Sequence, residues 1–114
     1  MRIVIVDDSA PFRWAVRDLL ERRGFAVVGE ADGVAAGLDV VKRLSPDAVL
    51  LDTRLPDGSG LDLCAPLTSE KSAPAVLLVS SDSAADGALA KAHGARGYVS
   101  KGDLTRIDLH GVLA

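Results

Sequence analysis

Four short apolar runs in this 114-residue chain stop on polar residues. Ile3-Val4-Ile5-Val6 runs into Asp7-Asp8, and Ala48-Val49-Leu50-Leu51 into Asp52. Val76-Leu77-Leu78-Val79 runs into Ser80-Ser81, and Gly97-Tyr98-Val99-Ser100 into Lys101. Apolar runs of this length without alternation read as strands buried on both faces, so the chain must fold around a sheet covered by helices. In open sheets of that kind, ligands bind just outside the carboxyl ends of the strands. If these four strands are parallel neighbours, three carboxylates, a hydroxyl and an ammonium meet at one rim. That set of groups handles a phosphoryl group together with a divalent metal.

The segments between the runs read as helices. After a strand at about 2–7, Ser9 or Asp8 is placed to cap a helix with Pro11 in its first turn. Phe12, Val16, Leu19 and Leu20 recur at helical spacing until Gly24 stops them. Ala26 to Ala31 is a short second strand. Val34, Leu38, Val41 and Leu44 share one face of a helix that Ser45-Pro46 ends. Leu55-Pro56-Asp57-Gly58-Ser59-Gly60 is a turn-rich loop. A weak helix follows to about 70, which Pro66 should kink or split. An alanine-rich helix is expected over 84–93 with Gly94 as its stop, and one short helix over the remainder to Ala114. Strand and helix thus alternate five times, which implies a parallel sheet with helices on both faces. The length fits one domain, residues 1–114.

Composition removes several function classes. A net charge of −3 and a pI near 5.2 argue against non-specific nucleic-acid binding, which needs a basic patch. Arg13, Arg17, Arg22 and Arg23 are diluted by Asp18 and Glu21 and read as a solvated helix face. Cys64 is the only cysteine, so no internal disulfide forms, which fits the cytoplasm, and the thiol reads as a packing residue. The opening apolar run is too short for a membrane span or a signal peptide. His93 and His110 are isolated and read as surface or structural residues.

Without a Cys/His cluster, a soft metal has no site. Carboxylates at strand ends suit Mg²⁺, which takes one or two carboxylates, several waters and phosphate oxygens. Singly, each residue has a plainer role: Asp8 as a helix cap, Asp52 and Ser80 as strand ends, Lys101 as a solvated lysine. Jointly those roles leave three carboxylates repelling one another, which calls for a cation, a lysine, or both.

These residues in this order resemble the receiver domain of bacterial two-component response regulators, across essentially the whole chain. The resemblance is carried by Ile5-Val6-Asp7-Asp8, Pro46-Asp47-Ala48-Val49-Leu50-Leu51-Asp52, Leu55-Pro56 with Gly58 and Gly60, Leu77-Leu78-Val79-Ser80-Ser81, Gly94-Ala95 with Gly97-Tyr98, and Lys101. Val28-Gly29-Glu30-Ala31 and Gly97-Tyr98-Val99-Ser100-Lys101 are similar to receivers that precede helix-turn-helix DNA-binding domains. The resemblance implies a flavodoxin-like, chemotaxis-receiver-like fold: five parallel strands in order 2-1-3-4-5, with a short last helix. It implies that Asp52 accepts a phosphoryl group from a histidine kinase or histidine phosphotransfer protein. Mg²⁺ would be held by Asp7, Asp8, Asp52 and the backbone carbonyl of Arg54. Ser80, the Ser81 N–H and Lys101 would bind the phosphoryl oxygens. Ser80 and Tyr98 would form the switch that alters an output face.

Three departures qualify that expectation. Gly102 stands where many receivers have proline after the lysine, Pro66 interrupts the third helix, and only thirteen residues follow Lys101. Arg54 and Asp82 are expected to flank the site mouth as a pair that slows loss of the phosphoryl group. The expected protein is a phosphoacceptor switch rather than an enzyme, with no membrane or direct nucleic-acid partner and with a homodimer allowed. Its alternatives are the truncated N-terminal receiver of a DNA-binding transcriptional regulator and a degenerate, phosphorylation-independent receiver. An aspartate-dependent phosphatase using Asp52 is disfavoured, because Arg54 occupies the place of its general acid.

Overall fold

The computed structural model describes residues 1–69, 72–81 and 87–114. Strand β1 (Arg2–Val6) leads through α1 (Ala10–Arg22) to β2 (Ala26–Ala31), and α2 (Val34–Leu44) leads to β3 (Ala48–Asp52). A two-residue pair, β4 (Arg54–Leu55) and β5 (Gly58–Ser59), precedes α3 (Gly60–Thr68). Then come β6 (Ala75–Ser80), α4 (Gly87–Ala92) and β7 (Gly97–Ser100). A 3₁₀ turn over Lys101–Arg106 and α5 (Leu109–Leu113) complete the chain.

The five long strands form one sheet in the order β2-β1-β3-β6-β7, and all four pairings are parallel. This is the expected 2-1-3-4-5 order once the β4/β5 pair is set aside. Burial follows strand parity. Val4, Val6, Val49, Leu51, Val76 and Leu78 pack with Val41, Leu63, Cys64 and Leu67 of α2 and α3. Ile3, Ile5, Leu50, Leu77 and Val79 pack on the opposite face with Val16 and Leu20 of α1 and Leu109 and Leu113 of α5. Each fully buried Leu or Ile in these layers contributes roughly 1.5–3 kcal/mol. The central strands β1, β3 and β6 are covered on both faces, which is why their apolar runs lack alternation.

Several local expectations are corrected. Pro66 does not split α3, which runs unbroken from Gly60 to Thr68. The proline removes one backbone donor, the N–H that would reach the Asp62 carbonyl, and the turn beyond it keeps a bond from the Thr68 hydroxyl to the Cys64 carbonyl at 2.8 Å. The turn-rich loop contains the β4/β5 pair, Arg54 opposite Ser59 and Leu55 opposite Gly58. The tail is not one helix, because Asp108 starts a new one by accepting from the Gly111 N–H at 3.1 Å. Of the 84–93 helix, the described part is Gly87–Ala92, and its expected start lies outside the described residues.

The arginines of α1 are mostly not a solvated face. Arg13 and Arg17 both pair with Glu30 of β2, and Arg23 donates to the Thr105 and Ile107 carbonyls. Arg22, paired with Asp18, fits the expectation, and Arg17 fits it in part through its pair with Glu21 in the same helix. His110 stacks on Phe25 with ring centroids 4.2 Å apart and reaches the Arg23 carbonyl. His93 contacts the Leu89 carbonyl through Nδ1, so both histidines have structural contacts. Cys64 is fully buried, and burial pushes its thiol up to about 11, as suits an unreactive packing residue.

Candidate phosphoryl and metal site

The carboxyl ends of β1, β3, β6 and β7 bring Asp7, Asp52, Ser80 and Lys101 to one edge of the sheet. Asp7 follows the last residue of β1 and is wholly buried. Its Oδ1 accepts from the Ser9 N–H at 2.8 Å. Ser9, rather than Asp8, caps α1, accepting from the Phe12 N–H at 3.3 Å. That leaves Asp8 exposed and available to a ligand. Asp52 ends β3 with 6% of its surface exposed, and its Oδ1 accepts from the Arg54 N–H at 3.1 Å.

Lys101 binds the two buried carboxylates together. Its Nζ lies 2.7 Å from Asp7 Oδ2 and 3.4 Å from Asp52 Oδ2. The closer contact is an ion pair and not an aligned hydrogen bond, so Asp7 Oδ2 is buried without a hydrogen-bond partner among the described residues. Burial pushes the Asp52 carboxyl above the usual range, and the charge of Asp7 adds to this. The Arg54 N–H and Lys101 oppose that rise without cancelling it. Burial acts to lower the Lys101 ammonium, but its close contact with Asp7, the charges of Asp52 and Asp7 and its hydrogen bond to Asp52 outweigh this and hold it above its ordinary value.

The donor set fits a hard divalent cation. One carboxylate oxygen from each of Asp7, Asp8 and Asp52 lies within 4.8 Å of the others, and Asp7 contributes the buried oxygen that lacks a donor. Such oxygen ligands suit magnesium or calcium rather than zinc.

The remaining expected residues surround this centre. Ser80 is buried at the end of β6 and Ser81 is exposed just beyond it. Tyr98 pairs in register with Leu78 and is half-buried against the α2/α3 layer. It also borders an open groove of about 560 Å³ beside Thr53, Arg54, Leu55 and Leu61. The Arg54 side chain is exposed, while Asp82, its expected partner, lies outside the described residues.

Three neighbours of the site were not expected from sequence. The Phe12 ring lies beneath Lys101. Arg13 donates to the Asp7 carbonyl at 2.6 Å and to Glu30, fastening the β1–α1 loop. Asp57 supplies the cap that α2 lacks, because Gly33 at its start has no side chain. The Val34 and Ala35 N–H groups donate to the Asp57 carboxylate at 2.6 and 3.1 Å. This joins α2 to the loop that follows Asp52.

Those two amide donors hold the Asp57 carboxyl below its ordinary value. A carboxyl depressed in the fold stabilises above its unfolded pKa of about 4 and loses that contribution as pH falls through the folded value. Asp57→Ala should therefore lower the thermal midpoint at pH 7, and the gap from the parent should close in strong acid. Thermal unfolding followed by circular dichroism at pH 7 and pH 3 measures it. Equal midpoints at pH 7 would show that the cap contributes nothing.

Among the described residues no helix is long and apolar enough to cross a membrane. Residues 3–111 match the family model of the response regulator receiver domain. The chain is 43% identical over 101 residues to a Pseudomonas aeruginosa protein assigned as a transcriptional regulator, covering 88% of this chain and 49% of that one. It is 36% identical over 100 residues to the DNA-binding response regulator MtrA of Mycobacterium tuberculosis, covering 88% and 43%. The chain thus spans about half the length of these curated relatives. A solved response regulator from Burkholderia pseudomallei, which carries a phosphorylated aspartic acid and a calcium ion, superposes with a TM-score of 0.78. That pair shares 27% identity over 99% of this chain and 64% of the other. With fold, site geometry and family match in agreement, the chain belongs to the response regulator receiver domain family of two-component signalling.

Proposed function

We propose that residues 1–114 act as a receiver domain in which Asp52 is the phosphoacceptor, charged by a histidine kinase or histidine phosphotransfer protein in the cytoplasm. The observation that carries this is the Asp52 carboxylate, bridged to buried Asp7 by Lys101 at 3.4 and 2.7 Å. In the transfer, an Asp52 oxygen attacks the phosphorus of the donor's phosphohistidine. The new O–P bond forms as the N–P bond breaks, and the imidazole nitrogen leaves with the electron pair and takes up a proton. Lys101 balances charge on a phosphoryl oxygen. The Ser80 hydroxyl and the Ser81 N–H donate to another. Asp7, Asp8, Asp52 and the Arg54 carbonyl would hold Mg²⁺, which supplies neutralisation of charge on the phosphoryl oxygens. The chain's part is that of a switch: Ser80 moves toward the phosphoryl group and Tyr98 turns into the space vacated.

Intact-mass spectrometry after incubation with acetyl phosphate tests this. One phosphoryl adduct is expected on the parent with Mg²⁺, and none with chelator or on Asp52→Asn. No adduct on the parent would favour a degenerate receiver that works by contact alone.

The length of the relatives favours one further reading of the output. MtrA is named as DNA-binding, and its chain extends well beyond the matched residues. In this reading the receiver signals to a DNA-binding domain, and phosphorylation promotes pairing of two copies. Detection of the protein in its source cells at a mass well above 11.8 kDa would support it, whereas a band at that mass would remove it.

A further inference from the structure

Lys101 opens the 3₁₀ turn, and the residue beside it has no side chain to brace its own. The next residue is Gly102, and a Cβ built there would meet nothing within 4 Å. Besides Asp7 and Asp52 the ammonium has a third contact, which is aromatic: Nζ lies 4.1 Å from the centroid of the Phe12 ring. The face of an aromatic ring carries negative charge density and attracts a cation at that distance.

Phe12 is well held for such a task. It lies in the first turn of α1, where its N–H donates to the Ser9 capping hydroxyl. Its ring packs on the α1/α5 layer. Its neighbour Arg13 bonds to the Asp7 carbonyl and to Glu30. The ring is therefore fixed to the same loop that carries Asp7 and Asp8. On the open side of the site Lys101 could swing into water, since 20% of its side chain is exposed. Contacts with the ring face and with Asp7 oppose that movement.

We propose that Phe12 is a positioning residue: its ring face holds the Lys101 ammonium in the phosphoryl site, a task left to it by the unpacked glycine that follows the lysine. The inference rests on the proposed phosphoacceptor function. Plain packing is the competing role, and an isosteric series separates the two. Phenylalanine at position 12 is replaced by monofluoro-, trifluoro- and pentafluorophenylalanine, which nearly keep the ring's shape while draining charge from its face. Phosphorylation by acetyl phosphate with Mg²⁺ is then timed by intact mass.

The rate should fall stepwise with fluorination, to roughly three- to ten-fold below the parent for the pentafluoro ring. Phe12→Leu should fall to a similar level, and Phe12→Trp should recover much of the parent rate. Thermal midpoints across the fluorinated series should stay close together. A flat rate across the series on a parent that is phosphorylated would overturn the role of the ring alone. A parent that accepts no phosphoryl group would overturn the phosphoacceptor function, and the positioning role with it.

Discussion

Gly60→Ala is expected to destabilise the domain by about 3 kcal/mol and to lower its thermal midpoint by on the order of 10 °C. Gly60 is the buried first residue of α3, and its N–H donates to the Thr53 carbonyl at 3.0 Å. A methyl carbon there would overlap the Asp52 carbonyl oxygen and lie 3.1 Å from Thr53 Cα. Both obstacles are backbone, so no side chain can rotate away. Either α3 lifts from the sheet or the end of β3 moves, and β3 carries Asp52. Acceptance of a phosphoryl group should therefore suffer along with stability. Gly102→Ala, with open space around it, serves as the comparison and should shift stability by less than about 0.5 kcal/mol. Chemical denaturation of both variants measures the difference. A Gly60→Ala variant as stable as Gly102→Ala would mean that α3 does not approach β3 this closely.

The second large effect belongs to Lys101→Ala in the absence of divalent cations. The substitution leaves Asp7, wholly buried, and Asp52, 6% exposed, facing each other with no cation between them. Removing one partner of a buried ion pair typically costs about 3–5 kcal/mol. The partial exposure of the lysine brings the expected loss here to about 2–3 kcal/mol. Mg²⁺ should restore much of it, because a ligand bound only by the folded state stabilises that state and here also replaces the missing charge. The gain in midpoint on adding Mg²⁺ to chelated protein should thus be larger for Lys101→Ala than for the parent. Asp52→Asn should behave oppositely and raise the midpoint of the chelated protein, because it removes one of two crowded like charges. Equal stability of Lys101→Ala and parent in chelator would show that the lysine does not neutralise this pair.

The sheet is legible in the sequence because its central strands are covered on both faces. An uninterrupted apolar run has few other homes, and its terminating residue is then a rim residue. Asp7, Asp52, Ser80 and Lys101 were found this way, since backbone direction alone carries them to one edge. The missed features share a different origin. Asp57 capping α2, Phe12 under Lys101 and Arg13 on the Asp7 carbonyl depend on which residues of separate loops come to face one another. Hydrophobic periodicity holds no record of that. One faint signal did exist for Asp57: Gly33 offers α2 no capping side chain, so a donor-accepting group had to come from elsewhere. The tertiary partners of the α1 arginines are hidden for a similar reason. Glu30, on the neighbouring strand, pairs with Arg13 and Arg17, and helical spacing points only to partners within the helix, such as Glu21 for Arg17. Pro66 removes one backbone donor without ending α3.

Reductive trapping of the phosphorylated protein tests the central assignment most directly. After incubation with acetyl phosphate and Mg²⁺, borohydride converts an acyl phosphate to the corresponding alcohol, and peptide mass spectrometry locates the changed residue. If Asp52 is the phosphoacceptor, residue 52 alone is read as homoserine, and the conversion disappears when Mg²⁺ is chelated. Conversion at Asp7, Asp8 or any other carboxylate, or none at all on a protein that still binds Mg²⁺, would contradict it.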